Sequence, residues 1–483
     1  MSQTHVEEPR AQPLTGRPGE HESAPGALGD HLHPVDEEAS PTADRTAAGA
    51  APPQKCGGGK WHASIVQPTP GLRRAVAGIL GGVDNKDPID ELAGLFRSLA
   101  HTDFAGYSPI YEELALAVAR DRRVLGFVLD SAAPNSRRGR LPVLFFAATH
   151  DVILSRPTSP IAAIYRGEVE ADPVAPFFQL VADDRDAIAE RMRTRSVQTN
   201  EVGRSAAIAA AVALCTTGDF RSIGLVEIGP SAGLNLAFDS YRIDYTRGAD
   251  FIGSTGPVDS PVHLSCELRG DLDIPLPGPD IAIDVRIGID AAPIDITDPE
   301  QSRWLRACLW PGIPDRPDRL AAAIQLVGTA PPPILCGDAV TDLPGVLAAL
   351  PEAIAPIVIS TWALAYIPTA GRAQILHDLD ELGARRDLTF ITLEEPRFTP
   401  WGPEIEDLPE GIIANSETST ILAMRRWSGG VCESRVLAFV HPHGRWMHWI
   451  DQRSAIADGA SEGEASAGTT TATDATTNGV RHG

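Results

Sequence analysis

Leu225-Val226-Glu227-Ile228-Gly229-Pro230-Ser231-Ala232-Gly233-Leu234-Asn235 is the stretch on which the fold turns. An apolar run ends in an acid, a Gly/Ser/Gly-spaced turn follows, and a helix-like segment begins. A buried parallel strand that delivers a tight turn against a ligand is a common way to build a small-molecule site. Two chemistries use such a turn. In one the loop cradles a nucleotide-like cofactor. In the other Ser231 is a nucleophile at a strand-to-helix elbow. Residues downstream separate them.

Outward from this stretch, short apolar runs alternate with helical patterns. The runs are Leu225–Ile228, Ile281–Ile289, Pro333–Cys336, Ile357–Ser360 and Leu388–Leu393. Helical spacing recurs near Arg303–Trp310, Arg319–Val327, Leu343–Leu350 and Arg372–Leu382. This alternation predicts an α/β fold with a mostly parallel sheet covered on both faces. Ile421–Trp427, Ser434–Val440 and Trp446–Ile450 follow without helices between them, which predicts an antiparallel hairpin at the end of the sheet. Ahead of Ile223 the pattern is helical. Asp90–Leu99 has apolar residues three and four apart, Leu141–Leu154 is apolar nearly all round, and Ser205–Leu214 is Ala-rich.

The chain of 483 residues has 43% hydrophobic residues, enough for a sizeable core, and a formal net charge of -23. Phosphate binding needs clustered Lys and Arg, so this balance argues against a nucleic-acid coat. A small-molecule or protein substrate fits better. Six singly scattered cysteines, with no Cys-x-x-Cys pair, suit a reducing cytoplasm and no zinc site. No run reaches the roughly 18 apolar residues of a membrane span. The expected organisation is a disordered tail over 1–62, a helical cap over 63–218, a Rossmann-like domain over 219–451 with an insertion at 246–280, and a disordered tail over 452–483.

Four pieces stand in order. Glu227 closes the first strand before Gly229, Ser231 and Gly233. Gly288-Ile289-Asp290 closes the second, Gly337-Asp338-Ala339 the third, and Ser360-Thr361-Trp362 the fourth. Parallel strands bind ligands at their carboxyl ends. Acids at successive strand ends suit a ribose diol and an adenine amine.

With these pieces the region from Ile223 to Ile450 resembles a class I S-adenosylmethionine-dependent methyltransferase fold. The resemblance implies S-adenosylmethionine as cofactor. Glu227, Gly229, Ser231, Gly233 and Asn235 would hold its amino-acid end, Asp290 its ribose, and Asp338 and Ala339 its adenine. Two departures stand out: Ser231, preceded by Pro230, replaces the loop's central glycine, and the second-strand acid arrives late. Asp244 is the rival for the ribose acid; the Gly-Ile-Asp context favours Asp290. More specifically, the chain resembles the uncharacterised bacterial family called domain of unknown function 2332. The motifs are Ser108-Pro109-Ile110-Tyr111, Gln198-Thr199-Asn200-Glu201-Val202-Gly203-Arg204, the Glu227–Asn235 stretch, Gly288-Ile289-Asp290 and Arg303-Trp304-Leu305. It covers roughly Leu92 to Ile450.

Other signals have a plain reading beside a functional one. Asn200 and Arg204 would lean over the pocket as substrate contacts, or Thr199 or Asn200 would simply cap the Ala-rich helix, with Glu201 in its first turn. Thr361 and Trp362 are further candidate substrate contacts. Tyr366 and Glu394 are the candidates for a general base, and Glu394 with Glu395 would also steer a cationic acceptor. His441-Pro442-His443-Gly444 reads as turn chemistry rather than a metal site. A serine hydrolase would use Ser231, then Asp338 or Asp378, then His441 or His443. Glu227 in the strand and the missing strands upstream argue against it. The reading is a methyltransferase acting on a small molecule or a protein side chain. A non-catalytic binding protein on the same fold is the alternative.

Overall fold

The computed structural model describes residues 87–134, 136–215, 222–276, 282–400 and 420–453. The expected tails lie outside these residues, apart from 452 and 453 at the end of the last strand. The described chain opens with eight helices: α1 Pro88–His101, α2 Pro109–Val118, α3 Arg122–Ser131, α4 Leu141–Ser155, α5 Pro160–Tyr165, α6 Val174–Asp183, α7 Arg185–Thr194 and α8 Ser205–Cys215. Their starts follow from local chemistry. Asp87 accepts a hydrogen bond from the Ile89 amide and Pro88 takes the first turn; Asp121 does the same for Arg123 and Val124. The apolar run at Leu141 is a buried helix, as its pattern predicts.

Eleven strands follow: β1 Ser222–Ile228, β2 Arg242–Arg247, β3 Asp250–Thr255, β4 His263–Arg269, β5 Ala282–Asp290, β6 Ile334–Cys336, β7 Ala355–Thr361, β8 Leu388–Glu394, β9 Thr420–Ser428, β10 Val431–Val440 and β11 Trp446–Arg453. Helices α9 Pro299–Ala307 and α10 Arg316–Val327 lie between β5 and β6, α11 Ala339–Ala349 between β6 and β7, and α12 Thr369–Gly383 between β7 and β8. The sheet order is β3-β2-β4-β11-β10-β9-β8-β7-β1-β5-β6. The five runs predicted as parallel strands pair in parallel as β6-β5-β1-β7-β8. From β1 the chain steps outward through β5 to β6, then returns to β7 and β8 on the other side. The strand order therefore reverses between β1 and β7.

Two features differ from the sequence expectation. The expected hairpin is a three-strand antiparallel meander, with β9 laid directly against β8. The insertion at 246–280 does not leave the sheet. With the preceding strand it supplies β2, β3 and β4, and β4 joins β11 in parallel. The signal was present: His263 to Arg269 alternates exposed and buried along β4.

Side-chain alternation along the central strands splits the core. Val226, Ile228, Val358 and Phe390 face α11 and α12. Ile223, Leu225, Ile357, Ile359 and Ile391 belong to a second cluster that runs without a break into the residues of α1 to α8. Helix α8 sits at its centre. It touches β8 and β9 and also β4, three strands beyond β9, so the sheet curls around it. Seven of its eleven residues are Ser or Ala, and the first nine are all buried. Small side chains let strands approach from more than one side. Ala209→Leu would overfill that space and is expected to destabilise the fold by about 1–3 kcal/mol, measured by urea unfolding.

Candidate functional site

The site forms where the strand order reverses. Strand β1 ends in Glu227 and Ile228, and the chain then turns at once. Gly229 and Gly233 take φ of 68° and 73°, and Ser231 takes φ of 56° without being glycine. The Gly229 amide donates to the Ile289 carbonyl at 2.9 Å and the Gly233 amide to the Pro230 carbonyl at 2.8 Å. A Cβ on Gly229 would lie 2.6 Å from that of Ala363, so the loop is seated on the chain leaving β7. Trp362, the first residue after β7, has φ of 59°. Two strained non-glycine residues thus stand at the ends of the two strands that flank the reversal. Such strain persists only where surrounding contacts fix it, and it clusters at functional sites.

Glu227 is fully buried beneath this loop. Its Oε1 accepts from Thr361 Oγ1 at 3.5 Å, and its Oε2 has no partner. Burial, reinforced by the Asp290 charge, pushes its pKa up to about 8, against the pull of Arg204, Asn235 and Thr361. The Ser231 hydroxyl is also buried without a partner. Asn235 is held between Ser205 Oγ, which donates to its Oδ1 at 3.2 Å, and Thr361 Oγ1, to which its Nδ2 donates at 3.5 Å.

Asp290 lies beside Glu227, because β5 pairs directly with β1. Its two oxygens accept from the Ser231 and Ala292 amides, each at 2.8 Å, so its first task is to hold the loop. Each oxygen keeps a second acceptor site. Asp244 lies on β2, paired with Arg242 and His263. It is no neighbour of β1 in the sheet. Asp338 is exposed and caps α11 by accepting from the Val340 amide at 2.9 Å; Ala339 opens that helix.

On the other side, Glu394 ends β8. It accepts from Ser360 Oγ and from the Ala363 and Leu364 amides at 2.9, 2.9 and 3.1 Å, all on Oε1. Its Oε2 is buried without a partner. Burial raises its pKa to about 7, although these donors and Arg204 oppose the shift. Glu394 therefore organises the turn after β7. Tyr366, at the end of that turn, is half exposed.

Residues 198–204 reach this site from the helical side. Asn200 does not cap α8. Its Oδ1 accepts from the Leu234 amide at 2.9 Å, so it caps the short helix that follows the glycine loop. Arg204, 4% exposed, donates to the Pro442 carbonyl at 3.0 Å and the Thr361 carbonyl at 3.4 Å. Its guanidinium lies 5.5 Å from the Trp362 ring centre. Glu201 anchors the segment. It accepts from its own turn at Gly203, from Arg316 Nε at 2.7 Å and from Arg319 at 3.2 Å, with His443 Nδ1 3.2 Å away. Burial works against the Glu201 charge, but Arg316, His443 and Arg319 outweigh it and hold the pKa well below the usual carboxylate range. Burial and Arg316 push His443 down to about 3, so its ring is neutral. A Cβ on Gly203 would lie 2.3 Å from the His443 carbonyl oxygen, and one on Gly444 2.0 Å from that of Gly203. Only glycines permit that contact.

The sequence points to Asn200 and Arg204 as pocket contacts, gives Glu201 and His443 no part in a shared anchor, and gives no sign of Arg316. The polarity of residues 198–204 and the Pro-His-Gly turn were both visible; that they meet was not. The serine hydrolase arrangement does not assemble, since no base hydrogen bonds the Ser231 hydroxyl and His443 is committed to Glu201 and Arg316. Among the described residues no group of three or more His, Cys, Asp or Glu side chains is placed to hold a metal ion. Nor is any described helix long and apolar enough to cross a membrane.

The raised pKa values of Glu227 and Glu394 set a pH dependence. A buried acid held neutral contributes its full stability below the unfolded value of about 4.5 and loses it as pH rises through about 7 to 8. Glu227→Gln should match the wild type near pH 5 and exceed its melting temperature at pH 9 by roughly 2–6 °C. Equal melting curves at pH 9 would show that Glu227 is not held neutral.

No curated protein matches the chain. A family model described as an uncharacterized protein conserved in bacteria (DUF2332) matches residues 93–449. That span takes in most of the helical region, the glycine loop, every acid of this site and the Gly203–Gly444 contact. The chain belongs to this DUF2332 family of uncharacterized bacterial proteins.

Proposed function

We propose that the protein binds S-adenosylmethionine at the carboxyl ends of β1, β5 and β6 and transfers its methyl group to an acceptor that enters over the turn after β7. The observation that carries this reading is Glu227, fully buried under the Gly229–Gly233 loop with one carboxylate oxygen unpartnered, at the point where the strand order reverses. The order β6-β5-β1-β7-β8 is that of the doubly wound folds, in which ligands sit at this reversal. The three-strand meander extends this sheet beyond β8.

The donor set fits the cofactor. Glu227 offers a carboxylate to an ammonium group, and a cation there relieves the burial that keeps it neutral. Ser231 Oγ, also buried and unpartnered, offers a hydroxyl beside it. Asp290 keeps acceptor sites for a ribose diol while holding the loop rigid. Asp338 and the first turn of α11 lie at the end of the next strand for the base. When bound, S-adenosylmethionine supplies an activated methyl: the acceptor's lone pair forms the new bond, the carbon–sulfur pair stays with sulfur, and any acceptor proton passes to a base.

The residues of this chain act mainly by alignment, which can provide much of the rate when the reacting atoms are held about 3–3.5 Å apart. Glu394 is a positioning residue that fixes the Trp362–Leu364 turn through two amides. Arg204 and Trp362 form the inner wall, and Tyr366 the rim. Glu201, Gly203 and Arg204 are locked to the Pro442–Gly444 turn, which holds the inner wall in place without a moving lid.

Calorimetric titration of S-adenosylhomocysteine into the full chain tests this reading. The wild type should bind with a micromolar dissociation constant, and Glu227→Ala and Asp290→Ala should each weaken binding at least tenfold. Because binding draws the proton from Glu227, affinity should rise about tenfold per pH unit from pH 6 to about 8 and stay flat in Glu227→Gln. A folded wild type that takes up no ligand would leave only the fold.

A further inference from the structure

Two arginines converge on the turn after β7 without an acidic partner. Arg204 is 4% exposed, bonds among the described residues to the carbonyls of Pro442 and Thr361, and lies over Trp362. Arg140, partly exposed at the start of α4, places its guanidinium 3.6 Å from the ring centre of Tyr366. Glu201, Glu394 and Tyr366 are each close enough to Arg204 to act on its charge. Among the described residues no carboxylate lies within 4 Å of either guanidinium, although the chain has 64 acids against 41 Lys and Arg. In contrast, the neighbouring Arg316, just as buried, is neutralised by Glu201 at 2.7 Å. Arg204 thus has carboxylates nearby but none in contact, and with two N–H groups spent on carbonyls its remaining donors suit an anion.

The four side chains form a graded wall. Tyr366 and Arg140 stand at the rim, Trp362 is partly buried, and Arg204 closes the floor. Two guanidinium forks suit a carboxylate or phosphate, and the two aromatic faces suit a flat body. The backbone strain at Trp362 holds this presentation.

We infer that this wall is an acceptor subsite for a planar, anionic small molecule, with Arg140 and Arg204 recognising its negative group. The assignment of this anion to the acceptor rests on the methyl-transfer reading; the anion site itself does not. Glu227, with its unpartnered oxygen, serves a cation on the far side of Thr361, so the two charges of the site are separated.

The test uses salicylate as probe and its neutral analogue salicylamide as control, titrated calorimetrically into the full chain both alone and saturated with S-adenosylhomocysteine. Salicylate is expected to bind at least tenfold more tightly than salicylamide in both states. Arg140→Ala should abolish that preference while leaving S-adenosylhomocysteine binding unchanged, and Arg204→Lys should weaken salicylate about tenfold. Equal binding of acid and amide, or binding of neither, overturns the subsite. Loss of salicylate binding on saturation assigns the anion site to the cofactor's own carboxylate and overturns the acceptor assignment. If S-adenosylhomocysteine gives no heat while salicylate keeps its dependence on Arg140, the anion site stands and the methyl-transfer reading falls.

Discussion

The sheet wraps a helix made largely of alanine, and much else depends on that packing. Helix α8 has strands on more than one side, so most side chains along it are small. A helix with no polar face has one stable place, the centre of the core. Because residues 198–204 run directly into α8, the burial of that helix also fixes where Asn200, Glu201 and Arg204 stand. The polar segment is therefore delivered to the carboxyl ends of β1 and β7 by an apolar constraint.

Three buried carboxylates show how partners, rather than burial, set charge. Glu201, Glu227 and Glu394 are all within 2% of full burial. Glu201 has two arginines and stays ionised. Glu394 has backbone amides and a serine, which oppose its burial only in part. Glu227 has a distant hydroxyl and an acid for a neighbour, and its pKa rises furthest. The gradient runs from a structural lock at Glu201 to an unsatisfied group at Glu227. Unsatisfied buried groups are expensive, so the two at one loop, Glu227 Oε2 and Ser231 Oγ, mark a place where a ligand has much to contribute.

Several segments with specific sequences turn out to serve packing. Ser108 donates to the Pro311 carbonyl at 2.8 Å, and Tyr111 stacks on Phe146. Trp304 is buried and donates to the Ser196 carbonyl, while Arg303 pairs with Asp151. These contacts tie α2, α4 and α9 into one body. They show how a segment of specific sequence can serve packing without touching the site, and why a motif alone is a poor guide to chemistry.

Local pattern in the sequence determined the central strands, the helices between them, the tight turn after Glu227 and the acids at the strand ends. Each of these depends on neighbours a few residues apart, through alternation, helical spacing and the backbone freedom of glycine at Gly229 and Gly233. Tertiary structure alone decided that β2 to β4 extend the sheet, that Asp290 rather than Asp244 lies beside Glu227, and that Asn200 caps a helix other than the one it precedes. It also brought Glu201 to His443, 242 residues away, and Arg140 to Tyr366. The physical reason is the same in each case. Periodicity reports which face of an element is buried, but which element lies across from it is set by how the sheet curls and how closely two backbones can approach.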